Sequence, residues 1–159
     1  MLIKLNSYFK LLRPYQSIKN ILVIPLFILS YRSIGVIFES LDLILIFISF
    51  SFVASGVYCA NDLIDYKSDK KHPTKKKRPI AAGDISFIEG IMLSFVFLSF
   101  GVITSFFVSP HFFYLICFYL ALNILYNLIF KKFVFLDVFT LTFFYMLRII
   151  APSSLPNVD

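Results

Sequence analysis

Asn61, Asp65 and Asp69 recur at a spacing of four, and Asp62 stands beside the first of them. On a helix that spacing puts Asn61, Asp65 and Asp69 on one face, with about 6 Å of rise between neighbours and Asp62 about 100° round. Three or four hard oxygen ligands on one stripe suit Mg²⁺. That ion takes a few carboxylates and completes its shell with water and substrate phosphate oxygens. The stretch that follows, KSDKKHPTKKKRPI, is strongly basic. Arg78 can grip phosphate oxygens with two N–H groups at once, and Lys75, Lys76 and Lys77 supply point charges. Acid beside base therefore describes a metal–diphosphate site. A basic run after an apolar one also has a plainer reading, as a topology signal and a contact for lipid headgroups. Residue type alone leaves both readings open for residues 75–78. His72, next to Pro73, reads as a loop contact and not as a ligand.

The elements that must position these residues are membrane helices. The chain has 159 residues, is 59% hydrophobic and has a mean hydropathy of +0.86. A soluble domain of this size keeps much of its surface in water and cannot bury that much apolar area. Spans of roughly 20 apolar residues fall at about Ile21 to Phe38, interrupted by Arg32, and at about Leu41 to Ala60. Three more run from about Phe87 to Val108, Pro110 to Phe130 and Phe133 to Ala151. The expected fold is all-α: about five transmembrane helices in one domain. Ser86 and Glu89 fit a capping box, Ser109-Pro110 an N-cap with Pro in the first turn, and Gly83-Asp84 a turn. Cys59 and Cys117 lie in apolar runs and read as small buried hydrophobes. With no Trp, an interfacial aromatic belt rests on Tyr. The first twenty residues are too polar for a cleaved signal peptide.

Lys and Arg concentrate before the first span, between the second and third, and between the fourth and fifth. Only Arg32 and Arg148 lie elsewhere. Five spans put those three regions on one face, which the positive-inside rule assigns to the cytoplasm of an inner or plasma membrane, with the N-terminus. On that side Arg13, Gln16, Lys19 and Asn20 open the first helix, as headgroup anchors or as contacts for a substrate phosphate. Tyr58, Tyr126 and Asn127 either line a cavity or pack. Asp137 and Arg148 share a face of the last span three turns apart, so each needs a partner on another helix or a substrate.

NDLIDYKSDKKHPTKKKRPIAAGDIS, residues 61–86, resembles the first aspartate-rich motif and following loop of the UbiA superfamily of intramembrane prenyltransferases. LRPYQSIKNILVIPLF and LYNLIFKKFVFLDVFTLTFFYMLRIIA are similar to one branch, the decaprenyl-phosphate phosphoribosyltransferases. The resemblance runs nearly to Ala151. It implies a partial UbiA-type helical bundle with a cavity open to the cytoplasm and to lipid, and Mg²⁺ as cofactor. It implies transfer of 5-phosphoribosyl from phosphoribosyl diphosphate to a polyprenyl phosphate. A prenyl group moving from prenyl diphosphate to an apolar or aromatic acceptor is the alternative. By position, Asn61, Asp62, Asp65 and Asp69 would hold metal, and Asp65, Asp69 and Arg78 would serve catalysis. Arg13, Lys19, Asn20, Tyr58, Lys75, Arg78 and Tyr126 would bind substrate. The partners implied are the membrane and a lipid substrate, with no nucleic acid.

Members of that superfamily are about twice this length and carry a second aspartate-rich motif in their second half. The chain is accordingly expected to be the N-terminal portion of one such domain, completed by a C-terminal half or a homo-oligomer, or else an inactive membrane fragment. The polar faces of its last spans would then be exposed, leaving Asp137 and Arg148 without partners.

Overall fold

The computed structural model describes residues 2–22 and 36–155. In chain order the elements are α1 (Leu2–Leu12), a 3-10 helix at Pro14–Leu22, α2 (Val36–Ile64), the one-turn α3 (Tyr66–Asp69) and the one-turn α4 (Pro79–Ala82). Then follow α5 (Phe87–Val108), α6 (Pro110–Leu128) and α7 (Val134–Ile150), with short 3-10 turns at Lys75–Lys77, Phe130–Lys132 and Ala151–Ser154. Four segments among the described residues are long and apolar enough to cross a bilayer: Leu41–Ile64, Phe87–Val108, Pro110–Lys132 and Val134–Ser154. The expected span from Ile21, with Arg32, lies for the most part outside the described residues. The second span is longer than its apolar run suggests, because α2 continues as 29 residues through the polar NDLI segment.

Local signals set the boundaries. Ser86 caps α5 in a full capping box: its hydroxyl accepts from the Glu89 N–H, and the Glu89 carboxylate accepts from the Ser86 N–H. Ser109 caps α6 by accepting from the Phe112 N–H at 3.0 Å, with Pro110 in the first turn. Gly83 ends α4 at φ 87°, a left-handed conformation that glycine adopts without strain.

α2 and α5 make the tightest seam. A Cβ on Gly101 would lie 2.6 Å from Val53 Cγ2 and 2.9 Å from the Ser49 carbonyl oxygen, and one on Gly56 would lie 2.7 Å from Leu98 Cγ. Across this seam the Ser49 hydroxyl donates to the Gly101 carbonyl at 2.7 Å, and the Ser94 hydroxyl to the Gly56 carbonyl at 2.9 Å. Small residues and hydroxyls are what holds helices together where the hydrophobic effect is absent between them. On the side toward α6 and α7, Ile46, Phe50, Val53, Ile116, Phe144 and Leu147 form the main core. Phe50 meets Phe112 and Tyr119 edge to face, at 5.7 and 5.6 Å between centroids.

Outward positions are apolar too. Phe95 and Phe107 on α5 and Phe139 on α7 are exposed, and Phe135 is 90% exposed. In a spanning bundle those faces meet lipid or another protein surface. A smaller cluster of Leu11, Cys59, Ile80 and Ile85 fixes α1 and α4 against the end of α2. Glu89 ties α1 to α5, accepting from Lys4 at 2.6 Å and from the Tyr8 hydroxyl at 3.2 Å. Both cysteines are free; Cys59 is buried and Cys117 half-buried.

Candidate active site

A cavity of about 400 Å³ opens at the end of the bundle where the basic loops lie. One wall is the last third of α2, with Ala54, Val57, Tyr58, Asn61 and Asp62, continued by Asp65. The opposite wall is a stripe on α6, where Tyr119, Asn123, Tyr126 and Asn127 repeat at helical spacing. α7 supplies Asp137, Leu141, Phe144, Tyr145 and Arg148. Arg13, Lys19, Lys75, Arg78 and Lys131 come from the connecting segments.

The carboxylates of the aspartate-rich segment are each met by cations. Asp62 is 2% exposed and pairs with Arg13 at 2.8 Å and Arg78 at 3.2 Å. Arg78 also holds Asp69 at 2.7 Å. Asp65 pairs with Lys131 at 2.7 Å, joining the end of α2 to the turn before α7. The backbone is shaped for this. Arg13 has φ 49°, the only non-glycine residue with positive φ among those described. An arginine in that region is strained, and such strain gathers where function needs a side chain aimed. Here the kink between α1 and the 3-10 helix turns the guanidinium onto Asp62 and over the Tyr58 ring, 5.1 Å from its centroid. The Arg13, Asp62, Lys75 and Arg78 side chains also line a second basin of about 380 Å³ with Lys10, Tyr15 and Lys77, so they form the partition between the two.

The i, i+4, i+8 spacing does not deliver all three of its residues to one place. α2 ends at Ile64, and Asp65 forms a joint at φ −84°, ψ 0° before α3. Asn61, Asp62 and Asp65 line the cavity. Asp69 is 1% exposed and lies outside the lining, its carboxylate behind Arg78. Asn20 also lies outside: its amide nitrogen donates to the Ser51 hydroxyl at 3.0 Å and its oxygen accepts from Arg148 at 2.9 Å. Lys19, Tyr58, Lys75, Arg78 and Tyr126 do line the cavity. The Tyr58 hydroxyl donates to Gln16 at 2.7 Å, and the Tyr126 hydroxyl to Asp137 at 2.8 Å. His72 organises the loop, its Nδ1 accepting from the backbone N–H groups of Thr74 and Lys75.

Asp137 and Arg148 do not stand alone, as exposure of their helix faces would have required. Asp137 takes the Tyr126 hydroxyl, and Arg148 reaches Asn20, the Phe144 carbonyl and Tyr119. Sequence reasoning missed Lys131, having read it as a topology charge 66 positions from Asp65, and did not name Tyr119, Asn123 or Tyr145, which line the same cavity. Of the α6 stripe only Tyr126 and Asn127 were read from the sequence; the signal that could have found Tyr119 and Asn123 is that all four share a helix face.

A helical membrane bundle with paired acid and base at one mouth defines a class, and the comparisons place the chain within it. It belongs to the UbiA prenyltransferase family, which matches residues 22–153. Nodulation protein NoeC of Azorhizobium caulinodans is 31% identical over 96% of this chain and 49% of its own length. Decaprenyl-phosphate phosphoribosyltransferase of Corynebacterium glutamicum is 37% identical over 61% of this chain and 30% of its own length. That of Mycolicibacterium smegmatis is 28% identical over 92% and 47%. The chain spans about half the length, or less, of the curated relatives it matches. Among solved structures, a digeranylgeranylglyceryl phosphate synthase superposes with a TM-score of 0.84 at 23% identity, covering 98% of this chain and 55% of that one. A UbiA homologue from Archaeoglobus fulgidus bound to DMAPP and Mg²⁺ gives 0.81 at 21%, covering 96% and 55%. These superpositions establish the shared fold.

Proposed function

We propose that this chain carries the diphosphate-binding portion of an integral-membrane transferase that moves 5-phosphoribosyl from phosphoribosyl diphosphate to a polyprenyl phosphate. The observation that carries the choice of donor is the lining of the cavity. Polar side chains continue from its mouth to its floor, through Tyr58, Asn127, Asn123, Tyr119 and Arg148. Each already makes a hydrogen bond within the protein, but a prenyl chain would bring apolar surface against their remaining donors and acceptors and leave those unmet, at a cost for each. A ribosyl phosphate brings hydroxyls and an anion to meet them. Prenyl transfer is the second reading, supported by the A. fulgidus structure with DMAPP.

The donor set fits Mg²⁺. Asn61 Oδ1 and Asp62 Oδ2 are buried with no hydrogen-bond partner among the described residues, and Asp65 stands one turn further on the same wall. Buried oxygens of this kind are normally satisfied, and a cation is a natural partner for two together. No group of three or more His, Cys, Asp or Glu among the described residues is arranged to hold a metal by itself. Asn61, Asp62 and Asp65 would therefore share the ion with water and diphosphate oxygens. When bound, Mg²⁺ neutralises charge on the leaving diphosphate.

The chain's own residues do the rest. Arg13, Arg78 and Lys131 exchange carboxylate partners for phosphate oxygens and, with Lys75, fix the diphosphate at the mouth. Asp69 keeps Arg78 aimed. The Tyr126 hydroxyl, donating to Asp137, faces the same space. An anionic acceptor entering from the lipid side attacks the anomeric carbon as the diphosphate departs. The remaining half of the relatives' length, or a second copy of this chain, would complete the domain. The basic end, with the N-terminus, faces the cytoplasm of an inner or plasma membrane, where the soluble donor is found.

Binding of labelled phosphoribosyl diphosphate to the chain in bilayer nanodiscs, with Mg²⁺, tests the reading. Unlabelled phosphoribosyl diphosphate should compete at least about tenfold better than dimethylallyl diphosphate. The reverse order would assign the cavity to prenyl transfer.

A further inference from the structure

Arg148 is the cation that the cluster around Asp62 leaves unused. It is 6% exposed, and its guanidinium carbon lies 5.7, 5.2 and 5.9 Å from the ring centroids of Phe50, Tyr119 and Tyr145. Its Nε donates to Asn20 Oδ1 at 2.9 Å, and its two terminal nitrogens donate to the Phe144 carbonyl at 2.8 Å and the Tyr119 hydroxyl at 2.7 Å. All three acceptors are neutral, and no described carboxylate lies within ion-pair distance of it. Arg13, Arg78 and Lys131 each have such a partner.

Its depth makes the difference matter. Phe50, beneath it, is twelve residues from Asp62 on α2, about 18 Å along the helix. A charge at that level of a membrane is expensive without an opposite charge. As a tie between α7, α6 and the Pro14–Leu22 helix, a neutral donor such as glutamine would serve without that cost. Arginine has five N–H donors. Three are engaged, and the side chain lines the cavity.

A second cation stands above it. Lys19 Nζ lies 5.8 Å from the centroid of the same Tyr145 ring and donates to Gln16 Oε1 at 3.3 Å, the oxygen that also accepts from Tyr58. Tyr58 is one turn from Asp62, so Lys19 falls between the carboxylates and Arg148.

We propose that Arg148 and Lys19 form a second anion subsite, separate from the diphosphate site and deeper in the cavity, which takes a phosphate monoester. The class of ligand follows from the pair of cations without a carboxylate; its source rests on the transferase reading. That phosphate is either the one on the ribosyl unit of the donor or the head of the polyprenyl acceptor.

The experiment measures binding to the full chain in nanodiscs with Mg²⁺, for wild type, Arg148→Gln and Lys19→Gln. The probes are inorganic pyrophosphate, phosphoribosyl diphosphate, ribose 5-phosphate and a short polyprenyl phosphate. Pyrophosphate affinity should stay within about twofold, while affinity for a monoester-bearing ligand falls at least about tenfold in both variants. A fall confined to the ribosyl probes assigns the donor's phosphate, and one confined to polyprenyl phosphate assigns the acceptor's. Lys19 is exposed and packs little, so Lys19→Gln remains decisive if Arg148→Gln fails to fold. Unchanged affinity for every probe in a folded variant overturns the subsite and leaves the transferase reading standing. So does an equal loss of pyrophosphate. Ribose 5-phosphate binding that needs Arg148, in a wild type that ignores pyrophosphate, keeps the subsite and overturns the transferase reading. Wild type that binds none of the probes overturns both.

Discussion

Two faces of α2 are put to different uses. Toward α5, Ser49, Val53 and Gly56 come so close to Gly101 and Leu98 that an added carbon has no room. Toward α6 and α7, Tyr58, Asn61, Asp62 and Asp65 stand back and leave about 400 Å³ between them and the opposite wall. The first face is held by contact and by hydroxyls on backbone carbonyls, which have one arrangement. The second is held by ion pairs, which can exchange one partner for another. A rigid seam behind a re-partnering site lets charges move without moving the helix that bears them.

The largest test of that contrast is Gly101→Leu. Its side chain must displace Val53 and the α2 backbone, so a loss above about 3 kcal/mol is expected, read as a collapsed melt in detergent. A melt like wild type would mean that the seam is looser than its distances. Asp65→Ala acts on the other face. Pyrophosphate binding with Mg²⁺ should fall on the order of 100-fold with the melt nearly unchanged; a large stability loss would make Asp65 a structural tie to Lys131. Asp69→Asn sharpens the same face, because Asp69 reaches the cavity only through Arg78. About a tenfold loss is expected, and Arg78→Lys should mask it; an Asp69 effect as large as that of Asp65 would put Asp69 on the ligand directly. The smallest change is Ser86→Ala. It removes the α5 cap for about 1 kcal/mol and should leave pyrophosphate affinity alone.

Much of this was legible in residue order. Apolar run length placed the spans now seen at Phe87–Val108 and Pro110–Lys132, and Ser86-Glu89 and Ser109-Pro110 announced their own caps. The acid and base of residues 61–78 were visible as a cluster because they are close in sequence. What spacing could not supply was the joint at Asp65. An ideal helix carries Asp69 onto the stripe of Asn61, whereas the helix is interrupted at Asp65 and Asp69, paired with Arg78, lies outside the cavity lining. Nor could spacing supply partners from distant helices. Lys131 on Asp65 and Asn20 on Arg148 are products of packing, across 66 and 128 positions. Asn20 read as a ligand contact because it was polar near a membrane face; its amide is occupied by Ser51 and Arg148 instead.

The length of α2 has a further consequence. Its 29 residues make a rod of about 43 Å, against a hydrocarbon core of about 30 Å. The surplus must tilt or project, and the residues at the end of the rod are Asn61 and Asp62. A thicker bilayer draws the Asn61 amide, the Asp62 carboxylate and its cations toward oil, and a thinner one lifts them into the headgroup water. Acyl-chain length thereby sets the hydration of the site, with no ligand and no moving loop involved.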